Sequence, residues 1–114
     1  MTRKSKKTVP IPDDVKREVE GIVERFNRTN SLRDDCYYEP QFKGKYCYLY
    51  RCDYGRLDPI CRLTYTGDMN KWEFAIFKWS SETYNSNEWM FPGNDFVDGT
   101  IEGAMKAGLE AYPV

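Results

Sequence analysis

Four cysteines, Cys36, Cys47, Cys52 and Cys61, are the chain's most reactive side chains, and three roles suit them: buried packing, a metal site, or disulfide bonds. Their spacings of ten, four and eight intervening residues contain no C-x-x-C pair, and the chain has no histidine to complete a ligand set. Each lies within, or at the end of, a segment that reads as a strand, where cysteine serves as a small apolar residue. Structural thiols are therefore expected first, with a four-cysteine metal site and disulfides behind them. The missing histidine also removes serine–histidine and cysteine–histidine catalysis. Carboxylate chemistry stays open. Asp95, Asp98 and Glu102 lie near the start of a second helix, and Glu73, Glu82 and Glu88 on or after the last strand. Acids near a helix start more often cap it or meet its dipole than act on a substrate, so a carboxylate-dependent hydrolase ranks last. With no phosphate loop or dinucleotide fingerprint either, the sequence points away from an enzyme, and no cofactor or metal is expected.

Aromatic and arginine residues offer a second kind of chemistry, recognition. Aromatics make up 16% of the 114 residues, too many for a disordered chain. In the stretch Lys71 to Trp79, alternate residues give Trp72, Phe74, Ile76 and Lys78 on one side and Glu73, Ala75, Phe77 and Trp79 on the other. A strand wet on one side should alternate apolar and polar, and this one does not. Tyr46, Tyr48 and Tyr50 likewise share one side of their segment, with Arg51 and Arg62 close by in sequence.

The elements that would position these side chains can be read from hydrophobic period. Residues 1–10 lack apolar periodicity and read as a flexible basic arm, and residues 11–114 as one α+β domain. From Pro12 a helix is predicted, with Asp13 and Asp14 in its first turn, Arg25 and Arg28 near its end, and an apolar stripe of Val15, Val19, Ile22, Val23 and Phe26. The period then changes to two. Strands are predicted at Cys36 to Phe42, Tyr46 to Cys52, Ile60 to Thr66 and Lys71 to Trp79, with Lys43-Gly44-Lys45 a tight turn and Asp53 to Pro59 a connection. The segment Ser80 to Asp95 fits no single element. After Asp98-Gly99-Thr100 a second helix runs to about Tyr112, with Ile101, Met105, Leu109 and Tyr112 as its ridge. Gly103 and Gly108 among alanines on that helix imply that something packs unusually close. The expected fold is a four-stranded antiparallel meander with N- and C-terminal helices on one face, in the order α-β-β-β-β-α.

Two helices cover one sheet face, which leaves the aromatics of the other to be explained. Three readings compete. The segment Trp89-Met90-Phe91-Pro92 folds back over that face, or cross-strand aromatic pairs simply stabilise the sheet. Alternatively the face takes a partner, most simply a second copy of the chain. Or it binds single-stranded nucleic acid, with bases stacked on the aromatics and the basic arm assisting. The candidate surface is Tyr48, Tyr50, Arg62, Phe77, Trp79 and Trp89. Charge weighs against nucleic acid: removing Arg3, Lys4, Lys6 and Lys7 from the 17 basic residues leaves 13 against 18 acidic, about −5 for the body. With no run of ~20 apolar residues and no apolar stretch after the basic N-terminus, no membrane association is expected and the protein is expected in the cytoplasm. A non-catalytic binding or interaction module is the leading functional expectation.

The strings Leu63-Thr64-Tyr65-Thr66-Gly67, Trp72 to Ser80, Glu88 to Gly93 and Asp98 to Ala104 resemble a family of small uncharacterised prokaryotic proteins, archaeal and bacterial, cyanobacterial among them. The likeness covers roughly the C-terminal half and does not include the cysteines. It implies a stand-alone cytoplasmic protein without an assigned activity, and it supplies no catalytic residues.

Overall fold

The computed structural model describes residues 9–30, 36–88 and 90–114. Helix α1 (Asp13–Thr29) forms where the apolar period is 3.6, and it buries Val15, Val19, Val23 and Phe26 as the stripe requires. Ahead of it Ile11 is buried, and its N–H donates to Gly44 O at 3.0 Å, which ties the start of the domain to the first hairpin. Of the predicted basic arm, residues 1–8 lie outside the described residues.

Five strands follow: β1 (Cys36–Lys43), β2 (Tyr46–Asp53), β3 (Arg56–Thr64), β4 (Glu73–Lys78) and β5 (Thr83–Asn85). They form one antiparallel sheet in the order β1-β2-β3-β4-β5, so the expected meander is present with one strand more than the four predicted. The extra strand arises because Ser80 to Glu82 are polar and turn the chain back, with Glu82 at φ 54° and Ser81 N–H donating to Lys78 O. Phe77 then pairs with Tyr84 and Ile76 with Asn85. Trp79, predicted to end β4, sits in this turn instead.

The predicted connection Asp53 to Pro59 is also corrected. Asp53 pairs with Arg56 across a two-residue turn in which both Tyr54 (φ 54°) and Gly55 (φ 85°) are left-handed, the geometry that joins twisted strands most tightly. Pro59 lies inside β3, where the register shifts by one residue opposite Leu49 and Tyr50. A proline has no N–H to give a neighbour. It costs no ladder bond here, because β4 pairs with β3 only from Cys61 to Thr64. Beyond that point β3 and β4 separate, and the Phe77 carbonyl accepts a hydrogen bond from the Tyr112 hydroxyl instead.

A 3₁₀ turn (Asn94–Phe96) leads into α2 (Ile101–Ala111). Tyr38 shows that both helices lie on the same side of the sheet: its ring meets Phe26 of α1 edge-on at 5.9 Å, and its hydroxyl donates to Met105 O of α2 at 2.7 Å. The core between the layers includes Val19, Leu49, Leu63, Ile76, Ile101 and Met105. The outer edge of β1 is partly closed by Asn27, whose side-chain amide donates to Tyr38 O and accepts from Tyr38 N–H, as a neighbouring strand would. Among the described residues, no helix is long and apolar enough to cross a membrane.

Candidate binding face of the sheet

The strand register sends side chains to two faces. Tyr38, Leu49 and Arg51 point to the helices, so Tyr46, Tyr48 and Tyr50 of β2 point away from them. Opposite Tyr48 stands Arg62 of β3, opposite Arg62 stands Ala75 of β4, and Phe77 of β4 is paired with Tyr84 of β5. Alternation thus assembles one continuous aromatic group on the face without helices. Ring centroids lie 5.9 Å apart for Tyr46 and Tyr48, 5.5 Å for Tyr48 and Tyr84, and 5.1 Å for Tyr84 and Phe77. Trp79, in the turn after β4, sets its ring edge-on to Phe77 at 5.0 Å and is half exposed.

Arg62 is held inside this group. Its guanidinium carbon lies 4.8 Å from the Tyr46 ring centre and 5.5 Å from that of Tyr84, and its Nε–H is buried with no acceptor. A buried N–H left unpaired costs about 1–3 kcal/mol, which the two ring contacts partly offset. Beside it lies a hollow of about 360 Å³ bordered by Lys45, Tyr46, Arg62, Glu73 and Ser86. Burial and the neighbouring Tyr50 hydroxyl push the Tyr84 phenol above its usual range, so it stays a neutral donor.

Of the six residues expected at the surface, Tyr48, Tyr50, Arg62 and Phe77 share this face and Trp79 borders it. Trp89 lies outside the described residues. Tyr84 was missed, because it lies in the segment to which no period could be assigned; its signal was a β-prone aromatic between threonine and asparagine after a polar turn. Of the segment Trp89-Met90-Phe91-Pro92 that one reading folds back over this face, Trp89 lies outside the described residues and Phe91 goes to the other side. Phe91 stacks on Phe74, on the helix side, at 5.8 Å, Met90 is exposed, and Gly93 lies against Ala107 and Glu110 of α2. The reason is local: Gly93 takes φ 96° and turns the chain toward α2. The cross-strand half of that reading does hold, since the rings also pack one another.

A larger hollow, about 540 Å³, opens where β3 and β4 separate, between Asp53, Arg56, Asp58, Trp79 and Tyr112. Its cations are already engaged. Arg51 is buried and donates to Tyr112 O, Gly108 O and the Tyr38 hydroxyl, while Arg56 grips Asp58 with two nitrogens at 3.0 and 3.1 Å.

Several of the remaining reactive groups are engaged within the fold. All four cysteines are buried and outside any disulfide, and desolvation pushes the Cys47 thiol up to about 12 and raises Cys61 as well. Thiols so protonated are poor nucleophiles. Asp98 accepts from the Thr100 hydroxyl and N–H, and Glu88 pairs with Lys78 at 3.4 Å, so these acids cap and brace. Among the described residues no three His, Cys, Asp or Glu side chains gather where a metal could be held. Comparison with protein-family models, with curated proteins and with solved structures finds no match.

Proposed function

We propose that this chain is a non-catalytic recognition module that takes an extended protein segment on the helix-free face of its sheet. The observation that carries this reading is the connected group Tyr46–Tyr48–Tyr84–Phe77–Trp79 built around Arg62, on the face opposite both helices. Tyrosine, tryptophan and arginine are the residues that dominate protein interfaces, because each combines a large apolar area with a polar tip at small entropic cost. Half-burial within the group keeps the rings in fixed orientations before any partner arrives, which lowers the ordering cost of binding. A nucleic-acid platform fits less well. Bases need free ring faces, and Arg62 occupies those of Tyr46 and Tyr84. The body's negative charge would also repel phosphates.

The test is selection of random displayed peptides on the intact protein. Enriched peptides should lose about ten-fold or more in affinity on Tyr48→Ala or Trp79→Ala, and little on Arg28→Ala, whose exposed side chain stands on α1 on the other side of the sheet. Failure to enrich any peptide sensitive to Tyr48, or tight low-salt binding of single-stranded oligonucleotides by this face in place of peptides, would overturn the reading. A two-fold symmetric self-association through the same rings, seen by sedimentation and abolished by Trp79→Ala, would replace it with a homodimer.

A further inference from the structure

We infer that the segment bound by this face carries a carboxylate side chain, and that Arg62 is the residue that receives it. The inference rests on the recognition reading above and adds the chemistry of the anchoring group. Three features point to it. First, the cross-strand neighbours of Arg62 are Tyr48 and Ala75, so no carboxylate stands opposite it in either adjoining strand. Second, the contacts that hold its head group are two rings, which restrain a guanidinium from its faces and leave its in-plane N–H groups free to bond. Nε is buried without an acceptor, so the groups open to a ligand are the four N–H of the two Nη atoms. Third, the hollow beside it is bordered by two bases, Arg62 and Lys45, against one acid, Glu73, so its formal charge is positive by one.

A side chain of Asp or Glu suits this arrangement better than a large anion. A carboxylate matches a guanidinium edge with two parallel hydrogen bonds and carries a single charge. Glu73 in the same hollow would repel a doubly charged phosphate about twice as strongly as it repels a carboxylate. The neighbouring Tyr48 and Trp79 rings then take apolar residues on either side of the acid, as alternate residues of an extended segment would present them.

The experiment uses the peptides enriched in the selection above. The expected result is one Asp or Glu at a constant spacing from an aromatic or aliphatic residue. Replacing that acid by Asn or Gln should weaken binding to the native protein about ten-fold and leave binding to Arg62→Gln unchanged. Arg62→Lys keeps the charge without the two-pronged edge and should retain only part of the discrimination. It also serves if Arg62→Gln melts out of the fold. Peptides that need Tyr48 but show no acid preference, or whose acid-to-amide change costs as much on Arg62→Gln as on the native protein, would overturn this inference and leave the recognition face standing. A phosphorylated peptide that binds better than its glutamate counterpart would overturn it too. If no enriched peptide depends on Tyr48, both readings fall together.

Discussion

At Gly108 the backbone of α2 comes so close to the sheet that an added Cβ would lie 2.5 Å from the Tyr38 hydroxyl and 2.6 Å from a methyl of Ile60. The close approach lets Tyr38 reach Met105 O and lets Arg51 reach Gly108 O, so one missing side chain permits two buried hydrogen bonds. Gly103 is similarly confined by Asp98 and the Phe96 carbonyl. Gly21, in the middle of α1, has nothing within 4 Å of the same hypothetical atom. Two identical substitutions should therefore have opposite signs. Gly21→Ala should raise stability by about 0.5–1 kcal/mol through helix propensity. Gly108→Ala should lower it by about 1–3 kcal/mol through overpacking. Urea denaturation of the two variants measures both, and equal signs would show that α2 does not need the contact. The sequence showed that glycines on α2 implied close packing, but not what packs there, since Tyr38 is 70 residues away in the chain.

At the scale of single elements, the start of α2 is held by a relay. Thr100 accepts from the Gly103 N–H at 3.0 Å and donates its hydroxyl to Asp98, which also accepts the Thr100 N–H. The Thr100 hydroxyl bond is the main reason that the Asp98 carboxyl titrates below its ordinary 3.8. A lowered value in the folded state means that the charged carboxylate adds stability above the unfolded value, and that this is lost as pH falls through the folded value. Asp98→Asn keeps an acceptor that does not titrate, so its unfolding free energy should fall less steeply than the native protein's from about pH 5 to about pH 2. Parallel curves would show that the cap contributes nothing through charge. Elements with a long, clean period were legible in the sequence: α1 from its valine stripe, β2 from its three tyrosines. Elements defined by one or two backbone angles were not. Nothing marks Tyr54 as a left-handed residue, and Pro59 reads as a strand breaker until the bulge shows that its missing N–H has no strand to serve. Likewise β5 is three residues long, too short for any period, and so Tyr84 could not be assigned to the face that Tyr48 and Phe77 already indicated.

Over the whole molecule, sheet order follows chain order, so every strand pairs with the strand made just before or after it. The helix side carries the core and the commitments of Arg51 and Tyr38; the other side carries the aromatic group and a hollow bordered by Arg62, Lys45 and Glu73. On the proposed reading this division would give the sheet two separate jobs. Tyr48 packs on Tyr46 and Tyr84, outside the core between sheet and helices, whereas Trp79 also packs on buried Phe77, so its affinity test is read beside a urea denaturation of the same variant. The contacts of Tyr38 and Arg51 with α2 have a further consequence, in the order of events during folding. Hairpins between chain neighbours close cheaply, whereas the bond from Tyr38 to Met105 spans 67 residues and must wait until the loop between them has been organised. The meander should therefore form in the transition state, with α2 docking on the downhill side. In stopped-flow kinetics Arg51→Lys should then accelerate unfolding and leave the folding rate nearly unchanged. Gly44→Ala, which strains the β1–β2 turn at φ 59°, should chiefly slow folding. If Arg51→Lys slowed folding instead, α2 would be part of the nucleus and the hairpins would form around it.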